Sequence, residues 1–252
     1  MKNFLEQVRA GTPTCGTFLN LGSTLATEVC ALSGFDWLLV DLEHGAGGEE
    51  ALVGQILAGA VHDVPVLVRT ETAERIRVGH VLDLGTCGVM YPRLDTPEQV
   101  AEALRHLWYP PKGDRGIAGF NRARQFGSDA RSSEQVNDEI LSIIQIETLP
   151  ALNDVDKIAA IPGVDVLFVG PSDLSAAMGI PGQFDAPQLV EALKRVVDAC
   201  QHENVAAGIL TADPERVAGL QEIGFTFIAV GSDSSILKGA ASAAARSFTR
   251  RG

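Results

Sequence analysis

Short runs of aliphatic and β-branched residues recur along the whole chain, each followed by a longer stretch with helical spacing. The runs fall at 15–19, 36–40, 64–69, 88–91, 143–147, 165–169, 206–210 and 225–230. WLLV, VPVLV and VLFV among them are continuously apolar rather than alternating, the pattern of parallel strands covered on both faces. The intervening helices carry start signals. Thr96-Pro97-Glu98 offers an N-cap with proline in the first turn, and Asp213-Pro214-Glu215 repeats it with an acidic cap. Strand and helix alternation fits either an open doubly wound sheet or a closed barrel. Eight repeats in a chain of 252 residues favour the barrel, so the expected fold is a parallel (β/α)8 TIM barrel in one domain spanning 1–252. The stretch 108–133, rich in Gly, Arg, Pro and Ser, interrupts the alternation as a long loop of the kind that tends to be functional.

Composition narrows the partners. The formal charge is −12 with no Lys/Arg cluster, which argues against nucleic acid and anionic membranes as partners. Cys15, Cys30, Cys87 and Cys200 are widely spaced and form no C-x-x-C pair, so neither a zinc knot nor a disulfide framework is expected. The N-terminal MKNFLEQVRAG mixes charges with apolar residues and reads as a helix rather than a signal peptide, and no apolar run is long enough for a membrane span. A cytoplasmic location is the resulting expectation.

In such barrels chemistry sits just beyond the C-terminal ends of the strands. Asp41-Leu42-Glu43-His44 follows the second strand, Arg69 ends the third, Gln145-Ile146-Glu147 ends the fifth, and Gly170-Pro171-Ser172-Asp173 follows the sixth. Glu147 or Asp173 alone reads as a helix cap. Two carboxylates converging from neighbouring strands instead suit a hard divalent cation, magnesium, manganese or cobalt, because no Cys or His cluster accompanies them. His44 is the one histidine of five directly after a strand, placed for proton transfer near neutral pH, against the plain reading of a turn histidine at the surface. Arg69 is either a solvent-facing strand end or, at the mouth, a fixed guanidinium for a substrate carboxylate or enolate oxygen.

Imine chemistry needs a lysine near the strand ends. Lys2, Lys157, Lys194 and Lys238 fall in helical stretches and Lys112 in the long loop, so cation-assisted enolate chemistry outranks a Schiff base. Neither G-x-G-x-x-G after the first strand nor a P-loop is present, which leaves nucleotide chemistry without support.

Several long motifs, in order, resemble the HpcH/HpaI aldolases, the class II pyruvate aldolases. They are GFDWLLVDLEHG (34–45), PVLVR (65–69), YPPKGDRG (109–116), IIQIET (143–148), GVDVLFVGPSDLSAAMG (163–179) and FIAVGSD (227–233), and they cover nearly the whole chain. The resemblance implies a barrel of the phosphoenolpyruvate/pyruvate type and a divalent-metal-dependent aldolase that cleaves a 4-hydroxy-2-oxo acid into pyruvate and an aldehyde. It implies Glu147 and Asp173 as metal ligands, His44 as proton acceptor and Arg69 as the stabiliser of enolate charge. It adds Asp83 as the acid that raises the basicity of the histidine, reaching His44 from a neighbouring subunit, with Gln145 and Ser172 as substrate contacts. It also implies a homohexamer with the last helix exchanged between subunits. The apolar stripe Ile236, Leu237, Ala240, Ala241, Ala244 and Phe248 fits that exchange, or packing on its own barrel. Phe18 and Arg93 stand where many relatives carry Trp and an apolar residue. Phe18 is therefore either a pocket residue or core, and Arg93 either a pocket residue or a rim charge.

Three other readings share these residues: an oxaloacetate decarboxylase, a citryl- or malyl-thioester lyase, and a metabolite-binding barrel without turnover. A thioester substrate calls for cations to hold coenzyme A, and Arg93, Arg115, Arg122 and Arg124 are the candidates. Binding alone requires no positioned base, so the His, Arg, Glu and Asp set counts against the last reading.

Overall fold

The computed structural model describes residues 2–248; Met1 and 249–252, which the expected domain includes, lie outside the described residues. Eight parallel strands close on themselves in chain order: β1 (Thr14–Leu19), β2 (Trp37–Asp41), β3 (Val66–Arg69), β4 (Gly88–Tyr91), β5 (Leu141–Ile146), β6 (Val166–Val169), β7 (Ala206–Thr211) and β8 (Phe227–Ser232). β8 returns to pair with β1. The (β/α)8 barrel read from the sequence is thus the fold. Boundaries differ by up to two residues. β3 begins at Val66 because Pro65 has no N–H for the ladder, although its carbonyl accepts Leu38 N–H at 3.0 Å. β5 begins earlier than expected because Leu141 N–H already donates to the Cys87 carbonyl at 2.9 Å.

Successive side chains on a strand point to opposite faces, which sorts the apolar residues into two cores. Trp37, Leu39, Leu67, Ile143, Phe168 and Phe227 fill the interior, while Leu38, Val40, Val68, Ile144 and Val169 pack outward against the helices. Trp37 stacks on Phe227 at 4.1 Å between ring centroids, Phe227 meets Phe168 edge-on, and Phe168 lies 6.0 Å from Phe18. This aromatic column makes the interior a solid plug rather than a pore. The helix Lys2–Arg9 closes the N-terminal end, contributing Phe4, Leu5 and Val8 to the same core, and Arg9 ties it to Asp165 and to the Asp138 carbonyl.

The predicted caps form. Thr96 accepts Gln99 N–H and Gln99 reciprocates at the start of the helix Pro97–Arg105; Asp213 accepts Glu215 N–H at 3.0 Å before a short 3-10 turn. The loop between that helix and β5 holds a short 3-10 segment, Arg122–Gly127, and a helix, Ser133–Asp138, with Ile117, Phe120 and Phe126 exposed. Ile236, Leu237 and Phe248 are exposed on the C-terminal helix Asp233–Ser247 and just beyond it, so the apolar stripe is not spent on its own barrel. Among the described residues, no helix is long and apolar enough to cross a membrane.

Candidate active site

The same alternation that sends Leu39, Leu67 and Ile143 inward carries Asp41, Arg69 and Gln145 onto the floor of the C-terminal mouth, above the aromatic column. Asp41 and Arg69 are register partners across β2 and β3. Arg69 Nε donates to Asp41 Oδ1 at 2.9 Å and Nη2 to Oδ2 at 2.7 Å, a two-point fork inside the protein. The third nitrogen, Nη1, lies 3.2 Å from Glu43 and 3.5 Å from Gln145 Oε1, facing the mouth. Beneath the guanidinium is the Phe18 ring, 5.3 Å away and 3% exposed, so Phe18 is both core and floor.

Burial alone would push the Asp41 carboxyl up, but hydrogen bonds and charge from Arg69, with the backbone N–H groups of His44 and Glu43, hold it below the usual range. Burial works against the Arg69 charge, and Asp41, Glu43 and Glu147 more than offset it, so the cation is held more firmly than in water. Asn20 adds a hydrogen bond to Asp41 Oδ2 at 3.0 Å, and Asp233 holds that segment by accepting the backbone N–H groups of Asn20 and Leu21. Sequence reasoning treated Asp41 only as a neighbour of His44 and passed over Asn20 and Asp233. Strand parity was the available signal for Asp41, which shares a face with Leu39.

Glu147 is buried, with one oxygen accepting Arg93 N–H at 2.9 Å and the other accepting the Gln145 side-chain amide. Its carboxyl is pushed up to about 7, first by burial and then by the charges of Asp173 and Glu43, against which the Arg93 N–H and Arg69 act. The plain cap reading fails for Glu147, while Asp173 does lie in the first turn of a helix without making a cap bond. Thr148, not Glu147, caps the helix Leu149–Asn153, and the helix Pro171–Ala177 starts without a side-chain cap bond. Asp173 and Ser172 are exposed in its first turn, at the mouth. Gly170 lets this turn approach, since a Cβ there would lie 2.8 Å from Gln145 Nε2 and 2.9 Å from Glu147 Oε2.

Carboxyl groups outnumber guanidinium groups at this mouth, and the Glu147 carboxyl is raised first by its burial and then by the acids around it. Oxygen donors from Glu147 and Asp173, with Glu43 near, are the donor set of a hard divalent cation, so the residues present fit one. A different cluster, Glu102, His106 and Asp114, sits at the end of the helix Pro97–Arg105. It is an ion-pair network: Arg105 bridges both acids, and His106 Nδ1 lies 2.8 Å from the Ala73 carbonyl.

His44 stands at the rim on a turn whose backbone is tied to Asp41. Its side chain is 68% exposed and its Nε2 lies 3.8 Å from Glu43. Gly45 permits the turn, because a Cβ there would lie 2.1 Å from the Asp41 carbonyl oxygen. Asp83 is not beside His44 within the chain. It ends the helix Arg75–Asp83, on the side from which the chain enters β4, and accepts the buried Arg115 at 2.7 Å. Arg122 donates to the Leu84 carbonyl, and Arg124 engages Asp129 and the Arg131 carbonyl. Lys112 lies over the Trp108 ring and Lys157 pairs with Asp154, away from the strand ends.

Arg93 follows β4 in the left-handed backbone region, φ 52°, a conformation that costs a residue with a side chain on the order of 1 kcal/mol. Its N–H on Glu147 and the burial of Leu94 beside it hold it there. Arg93, Asp95, Glu147, Thr148 and Asp173 border an open cavity of about 450 Å³.

Fold and mouth together define a (β/α)8-barrel lyase of the aldolase class. Residues 14–240 match the family model described as HpcH/HpaI aldolase/citrate lyase, and the chain belongs to that family. It is 38% identical over 250 residues to a hydroxypyruvate/pyruvate aldolase of Deinococcus radiodurans, covering 97% of this chain and 89% of the relative. It is 33% identical over 247 residues to a 4-hydroxy-2-oxo-heptane-1,7-dioate aldolase of Escherichia coli, covering 98% and 94%. The crystal structure of an HpcH/HpaI aldolase/citrate lyase family protein from Burkholderia cenocepacia superposes with a TM-score of 0.93 at 34% identity, covering 98% of this chain and 99% of that one.

Proposed function

We propose that residues 1–252 form one class II aldolase domain that reversibly cleaves a 4-hydroxy-2-oxo acid to pyruvate and an aldehyde with the help of a divalent cation. The observation that carries this reading is the Asp41–Arg69 fork set beside the buried Glu147, with the exposed Asp173 close enough to raise its carboxyl. Glu147 and Asp173 would hold the cation, magnesium, manganese or cobalt. When bound, it supplies Lewis-acid polarisation of a 2-oxo acid, which makes the carbon next to the carbonyl more acidic.

The chain's own groups do the rest. Arg69 Nη1, fixed by the fork, faces the negative charge that develops on the substrate carbonyl oxygen. Gln145, tied to both Glu147 and Arg69, and Ser172 at the rim orient the 2-oxo acid. In cleavage His44, acting through water, takes the 4-hydroxyl proton. The C3–C4 bond breaks, the aldehyde leaves, and the electron pair becomes the pyruvate enolate, which is then protonated at C3. Asp83 of a second copy of the chain would orient His44. The exposed Ile236, Leu237 and Phe248 support such an assembly, a hexamer with the last helix exchanged. Engagement of Arg115, Arg122 and Arg124 within the chain leaves Arg93 alone of the four candidate cations for coenzyme A, which disfavours a thioester substrate. A cytoplasmic location accords with the unpaired cysteines.

Pyruvate release from a 4-hydroxy-2-oxo acid tests this reading. Chelator-stripped protein should be inactive and regain turnover with one of the three cations; release that persists in chelator and ignores added cation would overturn it.

A further inference from the structure

The geometry points to Arg93 as the residue that selects aldehydes carrying an anionic group, a carboxylate or phosphate, as the second substrate. This rests on the enolate reading, and extends it to the half of the reaction that pyruvate does not define.

The backbone of Arg93 is fixed. Its N–H is committed to Glu147 and its neighbour Leu94 is buried, so a left-handed turn sets an exposed arginine on the wall of the cavity beside Glu147 and Asp173. Its guanidinium has neither a hydrogen bond nor an ion pair among the described residues. Two of the three acids on the same wall are otherwise occupied, and the third, Asp173, lies exposed in the first turn of the helix Pro171–Ala177. Asp95 accepts the Thr148 hydroxyl at 2.6 Å, and Glu147 accepts the Arg93 N–H and Gln145. Arg69, the other cation of this mouth, is locked to Asp41 on the floor and serves the pyruvate end.

An aldehyde adding to the enolate enters through this opening, between Asp95, Glu147 and Asp173. An anionic tail entering there meets carboxylates, which repel it, and one unpaired guanidinium, which attracts it and can grip it at two points. A neutral aldehyde has no use for that group. Arg93 therefore acts on the preference between acceptors, through its side chain, while its backbone serves Glu147.

The test compares kcat/KM for aldol addition of pyruvate to glyoxylate and succinic semialdehyde with that for glycolaldehyde, in native protein and in Arg93→Gln, Arg93→Lys and Arg93→Glu. A ratio of anionic to neutral acceptor cancels any general loss from a disturbed backbone. The ratio should fall about five- to tenfold in Arg93→Gln and further in Arg93→Glu, and be kept only in part in Arg93→Lys, which retains the charge without the two-point grip. It should also decline with added salt in the native protein and in Arg93→Lys, and not in Arg93→Gln. A ratio within about twofold of native in both Arg93→Gln and Arg93→Glu would overturn the assignment. Failure of native protein to exchange the pyruvate methyl protons with solvent would instead remove the enolate reading, a separate result read before any aldehyde is added.

Discussion

Asp41 and Arg69 sit opposite each other in the register of β2 and β3 and are joined by two hydrogen bonds, at 2.9 and 2.7 Å, almost wholly out of water. A buried cation held at two points keeps its third nitrogen aimed, here toward Glu43 and Gln145. Removing its partner strands the charge. Asp41→Ala should therefore cost about 3–5 kcal/mol of stability, measured by urea unfolding, and lower kcat/KM far more than KM alone. A loss under about 1 kcal/mol would mean the fork is not the support described.

The raised carboxyl of Glu147 gives a pH signature. Between the ordinary carboxylate value and about 7 the folded, cation-free protein holds a proton that the unfolded chain releases. Its contribution to stability is thus present below the unfolded value and lost as pH rises through about 7. In chelator, Glu147→Gln should be more stable than native by about 1–3 kcal/mol at pH 8, and the difference should vanish near pH 4. Cation binding should release a proton below pH 7, detectable by calorimetry in buffers of different ionisation enthalpy. Equal stability of the two proteins at pH 8 would contradict this.

Gly170, at the start of the helix carrying Asp173, leaves no room for a Cβ beside Gln145 and Glu147. Gly170→Ala should push these side chains apart, lowering kcat/KM on the order of a hundredfold while costing about 1–3 kcal/mol in thermal unfolding. Near-native turnover would show that the close approach is not needed.

Two inactive variants test the proposed role of Asp83. If the acid reaches His44 only from a second copy, an equal mixture of His44→Ala and Asp83→Ala, reassembled together, should recover about a quarter of native activity, since that share of sites pairs two intact residues. Leu237→Asp should yield smaller species by sedimentation and lose the recovery. No recovery from properly mixed oligomers would place Asp83 outside the site.

Arg69 and Glu147 were legible in the sequence because they end apolar runs, where barrel chemistry gathers, and the runs themselves gave the strands to within two residues. Asp41 was legible only through parity with Leu39. The Arg93 contact was not, because a backbone N–H carries no side-chain signature and left-handed geometry at an arginine is set by its surroundings. Asp83 lies in an ordinary helix end, and its place in the chain, paired with Arg115, gives no hint of His44. The proposed relationship would depend on assembly, which neither periodicity nor strand order encodes.

Proton exchange at the methyl group of pyruvate tests the central claim without any choice of aldehyde. Chelator-stripped protein in deuterated water is given pyruvate, with and without magnesium, manganese or cobalt, and the methyl signal is followed by NMR. The site described here predicts cation-dependent loss of that signal, nearly abolished in a folded Arg69→Lys variant, whose ammonium cannot reproduce the fork, and reduced in His44→Ala. No exchange above the free-cation control would contradict an enolate at this mouth.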